Sequence, residues 1–189
     1  MAGIVNRGTG AGGANTNANG KAFEDKTSNE PRLLAEGFVK IQIPGCKGKT
    51  QYYLSKDNVV FVSQDGFKNY MKNTFGVEVC RKPDEIYVRK NDDETYTVKV
   101  LEKKNQNGEG SVDSKLGLGP YFVSEYSHCL GDKFRVEYAF CLSEFLKKEY
   151  LSNTQKYKHL RRYNEKNGIM VFFGDEDHYF TDLDEWLRS

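Results

Sequence analysis

A chain of 189 residues has the length of a single domain, and its formal net charge of +1 provides no global field that would attract nucleic acid or a membrane surface. Hydrophobic residues make up 38% and charged residues 29% of the sequence, as in ordinary globular proteins. The apolar runs are far shorter than the ~20 residues that span a bilayer. We therefore expect no membrane association, and any recognition of a charged partner must depend on local patches.

The first twenty residues differ in composition from the rest of the chain. Residues 1–20 are rich in glycine and asparagine and cannot bury enough apolar surface to offset the entropy of ordering, so they are predicted to form a flexible arm. A single domain is expected over residues 21–189.

The predicted elements alternate between helical and β-type patterns. In chain order they are a helix over residues 21–36 that Pro31 interrupts, strands over 38–43 and 52–62, a helix over 64–75 ending at Gly76, strands over 86–89 and 95–101, a helix capped by Ser111, a strand over 134–142, a helix over 143–150 and a strand over 169–173. An acidic segment over 174–189 comes last and is predicted to be a solvated or self-pairing surface, with Trp186 as a core or dimer contact. This order predicts an α/β fold in which helices flank a central mixed β-sheet.

The four cysteines show no CxxC spacing. They are Cys46, Cys80, Cys129 and Cys141. Their scatter predicts reduced, mostly packed thiols in an intracellular, cytoplasmic protein. A zinc site that combines His128 with Cys129 and Cys141 is an alternative, which the ligand spacing disfavours.

A β-hairpin is predicted where two β-rich segments flank the polar Asn91-Asp92-Asp93-Glu94. With the turn centred between Asp92 and Asp93, antiparallel pairing places Asp84 opposite Leu101 and beside Glu102, although a shift of one residue is open.

Side chains alternate between the two faces of a strand. One face of the second hairpin strand therefore carries Tyr96, Val98, Val100, Glu102 and Lys104. Lys99 and Lys103 are predicted to lie on the opposite, exposed face. Asp84, Glu102 and Lys104 thus converge at one end of the sheet.

This grouping suits phosphodiester hydrolysis. Two carboxylates, Asp84 and Glu102, supply the hard oxygen ligands that Mg²⁺ prefers, and the lysine Lys104 can orient or deprotonate an attacking water or stabilise charge in the transition state. The alternative is a solvent-facing rim of mixed charges, because acid-x-Lys also occurs at 24–26 and 113–115. Of these matches, only residues 102–104 end a strongly alternating strand.

Pro83-Asp84, then seventeen residues, then Glu102-Lys103-Lys104 resembles the signature of the PD-(D/E)XK nucleases. The continuation from Gln106 through residues 110–116 is similar to the segment directly after that signature in some type II restriction endonucleases. Residues 20–24 resemble the first core helix of these enzymes.

The resemblance implies a restriction-endonuclease-like core with a magnesium site, where Mn²⁺ can substitute. It implies that Asp84, Glu102 and the backbone carbonyl of Lys103 bind the metal and that Lys104 is the catalytic lysine. Glu24 is implied to join the site and Gln106 to position water or substrate. For each of these two, a solvated surface role is the alternative.

The resemblance also implies cleavage of double-stranded DNA to 5′-phosphate and 3′-hydroxyl ends. A type II restriction endonuclease is preferred, and a homodimer is expected because two symmetric sites can cut both strands of a palindrome. The alternatives are a structure-specific nuclease of junction-resolvase or repair type, and an inactive nucleic-acid-binding protein on the same scaffold.

Residues 143–167 carry seven basic and three acidic side chains with tyrosines between them. This local excess would suit contacts with DNA phosphates. A solvated helix with its linker is the alternative.

Overall fold

Segments rich in β-branched and aromatic residues form one sheet in the computed structural model, which describes residues 13–45, 51–106 and 112–189. The strands are β1 (Val39–Gln42), β2 (Tyr52–Lys56), β3 (Val59–Val62), β4 (Glu85–Lys90), β5 (Tyr96–Lys104), β6 (Phe134–Leu142) and β7 (Met170–Phe173). The helices are α1 (Gly13–Lys26), α2 (Glu30–Ala35), α3 (Gln64–Phe75), α4 (Val112–Leu116), α5 (Gly119–Leu130), α6 (Glu144–Tyr150), α7 (Gln155–Lys166) and α8 (Tyr179–Arg188).

The sheet is mixed, and its strand order is the order of the chain from β1 to β7. Strands β1 to β5 pair antiparallel with one another, whereas β5, β6 and β7 run parallel. Parallel neighbours need a crossover connection; α4 and α5 provide it between β5 and β6, and α6 and α7 between β6 and β7. The predicted α/β fold with a mixed sheet flanked by helices is confirmed.

Both faces of the sheet are covered by helices. On one face, Val98 and Val100 of β5 join a hydrophobic cluster with residues of α3, α5, α6 and α7. On the other face, Leu101 packs with Phe23 of α1 and Trp186 of α8. Strand β5 therefore buries both of its sides, as a strand between two helical layers must.

The prediction that Lys99 and Lys103 lie on an exposed face is wrong. Only 2% of Lys99 and 7% of Lys103 is accessible to solvent. Helices α8 and α1 cover this face, since the Lys99 ammonium donates to the carbonyl of Trp186 and the Lys103 ammonium donates to the carbonyl of Glu24. Folding buries the two lysines because each finds acceptors there.

The first helix begins earlier than predicted. Helix α1 starts at Gly13, so residues 13–20, assigned to the flexible arm, are helical. Extending an existing helix adds one hydrogen bond for each residue that is fixed and avoids the unfavourable nucleation step that a new helix faces. The predicted interruption is confirmed: α1 ends at Lys26, and Pro31 lies in the first turn of α2. Residues 1–12 of the predicted arm lie outside the described residues, as does Ser111.

The acidic C-terminal segment contains a helix that was not predicted. In α8, Tyr179, Leu183 and Trp186 are buried, while the acidic side chains between them are at least partly exposed. The spacing i, i+4, i+7 is that of an amphipathic helix and was the available signal. Trp186 is a core residue, which is the first of its two predicted roles, core residue or dimer contact.

The prediction of reduced cysteines is wrong for one pair. Cys80, just before β4, and Cys129, near the end of α5, form a disulfide across 49 residues of sequence. The same two segments are also joined by the ion pair between Arg81 and Glu125 of α5. Cys141 is free and buried, as predicted. With Cys129 in the disulfide, the alternative zinc site loses one of its ligands. None of the helices described is long and apolar enough to cross a bilayer.

Candidate active site at the end of the β4–β5 hairpin

The hairpin forms with a register one residue away from the predicted one. Glu85 lies opposite Leu101, and the pairing continues to Lys90 opposite Tyr96. The turn is centred on Asp93, because the Asn91 N–H donates to the Thr95 carbonyl at 2.9 Å and Glu94 adopts a φ of 62°. A three-residue loop that ends in the left-handed conformation is a common hairpin connection. Continued by one residue, this register brings Asp84 opposite Glu102.

The Asp84 carboxylate lies at the end of the hairpin, immediately before β4. Its Oδ2 accepts a hydrogen bond of 2.7 Å from the backbone N–H of Lys103. Burial raises the pKa of Asp84 to about 6, and the negative charge of Glu102 acts in the same direction, while the hydrogen bond and the Lys104 ammonium act in the opposite direction. Desolvation and like charge therefore outweigh the local stabilisation of this carboxylate.

Glu102 and Lys104 lie two residues apart on the same face of β5 and form an ion pair. Lys104 Nζ lies 2.6 Å from Glu102 Oε1, and both side chains are partly exposed. Glu102 also acts on the α5 side of the sheet: the pKa values of Tyr126 and Tyr138 are raised, first by burial and then by the charge of Glu102. The structure thus brings together Asp84, Glu102 and Lys104, as the alternation of β5 predicts.

A cleft of about 740 Å³ opens at this end of the sheet. Asp84 and Lys104 line it, together with residues of α1 and of the segments around β3. The lining residues are Gly20, Lys21, Phe23, Glu24, Asp25, Ser28, Glu30, Phe61, Ser63, Gln64, Asp84, Glu85, Lys103, Lys104 and Asn105. Glu102 does not line the cleft itself and is linked to it through Lys104. A cleft of this size lies within the range of ligand-binding pockets.

Glu24 and Gln106 take different places relative to this cleft. Glu24 lines it, and its negative charge contributes to the raised pKa of Asp84, after the larger effects of burial and Glu102. Gln106 lies just after β5, and its backbone N–H and carbonyl approach the hydroxyl of Ser143 at 3.4 Å each. The structure therefore brings Glu24 near the carboxylates, whereas the described contacts place Gln106 beside the start of α6.

A buried polar network that was not predicted lies directly beneath the site. Lys103 and Glu85 form an ion pair of 2.7 Å in which each side chain is only 3% exposed. The signal was present: Glu85 directly follows Asp84, Lys103 lies between Glu102 and Lys104, and strand alternation puts the two side chains together on the face opposite Asp84.

The residues present fit a hard divalent cation. Asp84 and Glu102 offer carboxylate oxygens and Lys103 a backbone carbonyl, the donor types that Mg²⁺ binds. The Lys104 ammonium acts on the Asp84 carboxylate, whose pKa it lowers against the larger effect of burial. Within the described ranges, no three His, Cys, Asp or Glu side chains are arranged as a metal site, so a cation here would depend on two carboxylates and the carbonyl.

The basic segment over residues 143–167 folds as α6 and α7. Several of its cations have partners within the protein: Lys147 ion-pairs with Glu176, and Arg161 donates to the carbonyl of Ser152 at 3.0 Å. Arg162 and Lys166 are exposed on α7. Phosphate contacts by this segment stay a prediction, carried by the exposed cations of α7.

Comparisons with models of known families, with curated proteins and with solved structures each find no match for this chain. The resemblance to PD-(D/E)XK nucleases stays a prediction from the motif.

Proposed function

We propose that this chain is a magnesium-dependent endonuclease that hydrolyses phosphodiester bonds of double-stranded DNA. One observation carries the proposal: the Asp84 and Glu102 carboxylates lie together at the end of the hairpin, with the Lys104 ammonium 2.6 Å from Glu102. Two neighbouring carboxylates supply the oxygen ligands expected around a divalent cation, and the ammonium supplies positive charge for a phosphate.

In this proposal each residue has a separate role. Asp84, Glu102 and the Lys103 carbonyl hold the cation, and Glu24 adds negative charge from α1. The cation, when bound, would neutralise charge that develops on the phosphate and lower the pKa of a water. Lys104 stabilises negative charge on the scissile phosphate and orients the attacking water.

The assignment to type II restriction endonucleases, with a restriction-endonuclease-like core, is the more specific part of the proposal. It is supported by a mixed sheet in which an antiparallel hairpin carries the site and continues into parallel strands. A homodimer belongs to the same proposal, because two symmetric copies would cut both strands of a palindrome. The expected ends are 5′-phosphate and 3′-hydroxyl.

The test is digestion of duplex plasmid DNA in Mg²⁺, with sequencing of the resulting ends. Discrete bands with one recurring end sequence are expected, with no cleavage in EDTA and with Mn²⁺ as a substitute. Lys104→Ala should lose cleavage by several orders of magnitude, whereas Lys115→Ala, which removes an exposed lysine from another acid-x-Lys match, should cut normally.

Other outcomes separate the alternatives. Cleavage of branched substrates alone would identify a structure-specific nuclease. DNA binding in Ca²⁺ with no cleavage in any divalent metal would identify a binding protein, and full activity in metal-free buffer would exclude the two-carboxylate mechanism.

A further inference from the structure

Every polar atom of the buried ion pair beneath the site has a partner. Glu85 Oε1 lies 2.7 Å from Lys103 Nζ and also accepts from the backbone N–H of Asn29 at 3.0 Å. Glu85 Oε2 accepts from the Tyr87 hydroxyl at 2.8 Å, and Lys103 Nζ donates to the Glu24 carbonyl at 3.2 Å. One carboxylate and one ammonium therefore tie together α1, the start of α2 and strands β4 and β5.

Net stability alone does not account for this arrangement. Taking two charges out of water costs much of what their attraction returns, and buried pairs can often be replaced by apolar side chains without loss of stability. The network does, however, give the residues around it one fixed geometry.

Lys103 connects this network to the candidate metal ligands. Its side chain is anchored on one face of β5, while its backbone N–H donates a hydrogen bond of 2.7 Å to Oδ2 of Asp84, the residue immediately before the neighbouring strand β4. Its carbonyl is itself a proposed ligand, and its ammonium binds the backbone of Glu24. A change in the backbone torsions of Lys103 would therefore displace two proposed cation ligands at once, the Asp84 carboxylate and the Lys103 carbonyl.

We propose that Glu85 and Lys103 are positioning residues, whose buried ion pair orients the Asp84 carboxylate and the Lys103 carbonyl for a divalent cation. This inference rests on the proposed function, since it concerns the same cation. Neither side chain touches the cation; the pair acts through the backbone of Lys103.

The test compares Mn²⁺ binding, measured by calorimetry, in the wild type and in matched variants. Glu85→Gln combined with Lys103→Met leaves no unpaired charge and retains an acceptor for Asn29. This double variant should fold, bind Mn²⁺ at least about tenfold more weakly and cut more slowly at saturating metal, as changes behind metal ligands commonly do. The single variant Lys103→Arg, which retains the ion pair, should keep most of the wild-type affinity for Mn²⁺.

Lys99→Met is the matched control. Lys99 is the other buried lysine on the same face of β5, and it pairs with Glu137 at 3.0 Å at a position nearer the hairpin turn. Its loss should lower stability and leave Mn²⁺ affinity unchanged, which distinguishes positioning from a general loss of packing.

Each outcome is decisive. Wild-type Mn²⁺ affinity in the double variant overturns the positioning role and leaves the proposed function standing. If the wild type binds no Mn²⁺, the proposed function fails and this inference with it. Where the double variant does not fold, Glu85→Asp decides, since it keeps the charge but shortens the side chain, and unchanged affinity in that variant overturns the proposal.

Discussion

At the scale of single residues, the Asp84 carboxylate is held in a place that disfavours its charge. Burial and the neighbouring Glu102 raise its pKa to about 6, even though Lys103 donates a hydrogen bond to it. Opposed effects of this kind are typical of functional carboxylates, and they have consequences for both metal binding and stability.

Divalent metal binding should depend on pH around the pKa of Asp84. Metal ligands must be deprotonated, so Ca²⁺ affinity should rise as pH increases from 5 through about 6 and level off roughly one pH unit above the pKa. Calorimetric titration of Ca²⁺ at pH 5, 6, 7 and 8 measures this, with circular dichroism at each pH as the control for folding. Constant affinity from pH 5 to 7 would contradict the assignment of Asp84 as a ligand.

The same carboxylate should destabilise the metal-free protein at neutral pH. Because folding raises the pKa of Asp84, its contribution is most favourable below the unfolded value near 4 and is lost as pH rises through about 6. Asp84→Asn removes the charge, so its Tm in EDTA at pH 7.5 should exceed that of the wild type by a few degrees.

Ca²⁺ provides the second half of this experiment. It should raise the Tm of the wild type, because a ligand that binds only the folded state stabilises it, and leave that of Asp84→Asn unchanged. A lower Tm for Asp84→Asn in EDTA would mean that Lys104 and the Lys103 hydrogen bond outweigh the unfavourable burial.

At the scale of elements, α1 packs closely against the end of β7 at Gly174. A Cβ added there would lie 2.5 Å from Cγ2 of Thr27 and 2.8 Å from both Sγ of Cys141 and Cζ of Phe23. The absence of a side chain at Gly174 therefore permits α1 to pack on the sheet. Helix α1 in turn provides Glu24, which lines one side of the cleft.

Gly174→Ala should lower the free energy of unfolding by about 1–3 kcal/mol, the usual range for overpacking a core. Urea unfolding measures the change. Gly117→Ala is the matched control, because its added Cβ would meet its nearest atoms at an ordinary 3.7 Å. Equal stability of the two variants would show that α1 can shift without loss.

The sequence predicted the strands well and their environment less well. Helix α3 ends at Gly76 as expected, because a glycine in the left-handed conformation is a strong local signal. The hairpin register differs by one residue from the predicted one because the loop has three residues. The loop ends at Glu94 in the left-handed conformation, and no glycine in the sequence marks that position. The burial of Lys99 and Lys103 depends on helices that lie far away in the sequence, α8 for Lys99 and α1 for Lys103, and the alternation of β5 cannot reveal these helices.

At the scale of the whole molecule, one disulfide encloses the candidate site. The bond between Cys80 and Cys129 closes a loop that contains β4, β5 and all of Asp84, Glu102 and Lys104. Neither cysteine lies in a spacing that marks disulfide pairs, so only the three-dimensional proximity of α5 and the segment before β4 reveals it.

Replacing both cysteines by serine should lower the free energy of unfolding by about 4 kcal/mol, the chain-entropy value for residues separated by 49 positions. Urea unfolding with and without dithiothreitol measures the effect: the reductant should shift the wild-type midpoint and leave that of the Cys80→Ser/Cys129→Ser variant unchanged. Thiol titration of the denatured wild type should find two more reactive groups after reduction. A wild-type midpoint insensitive to the reductant would contradict the bond.

The agreement between sheet order and chain order also shapes how the molecule assembles in time. Pairings among β1 to β5 join neighbours along the chain, and such local contacts close with little loop entropy and form early in folding. The contacts that seat α1 are remote, since Lys103 meets Glu24 across 79 residues and Lys26 meets Asp175 across 149. We therefore expect a refolding chain to form the hairpin first and to dock α1 on it afterwards. Backbone pairing then precedes completion of the cleft, and the Lys103 ammonium gains the Glu24 carbonyl as an acceptor only in that later phase.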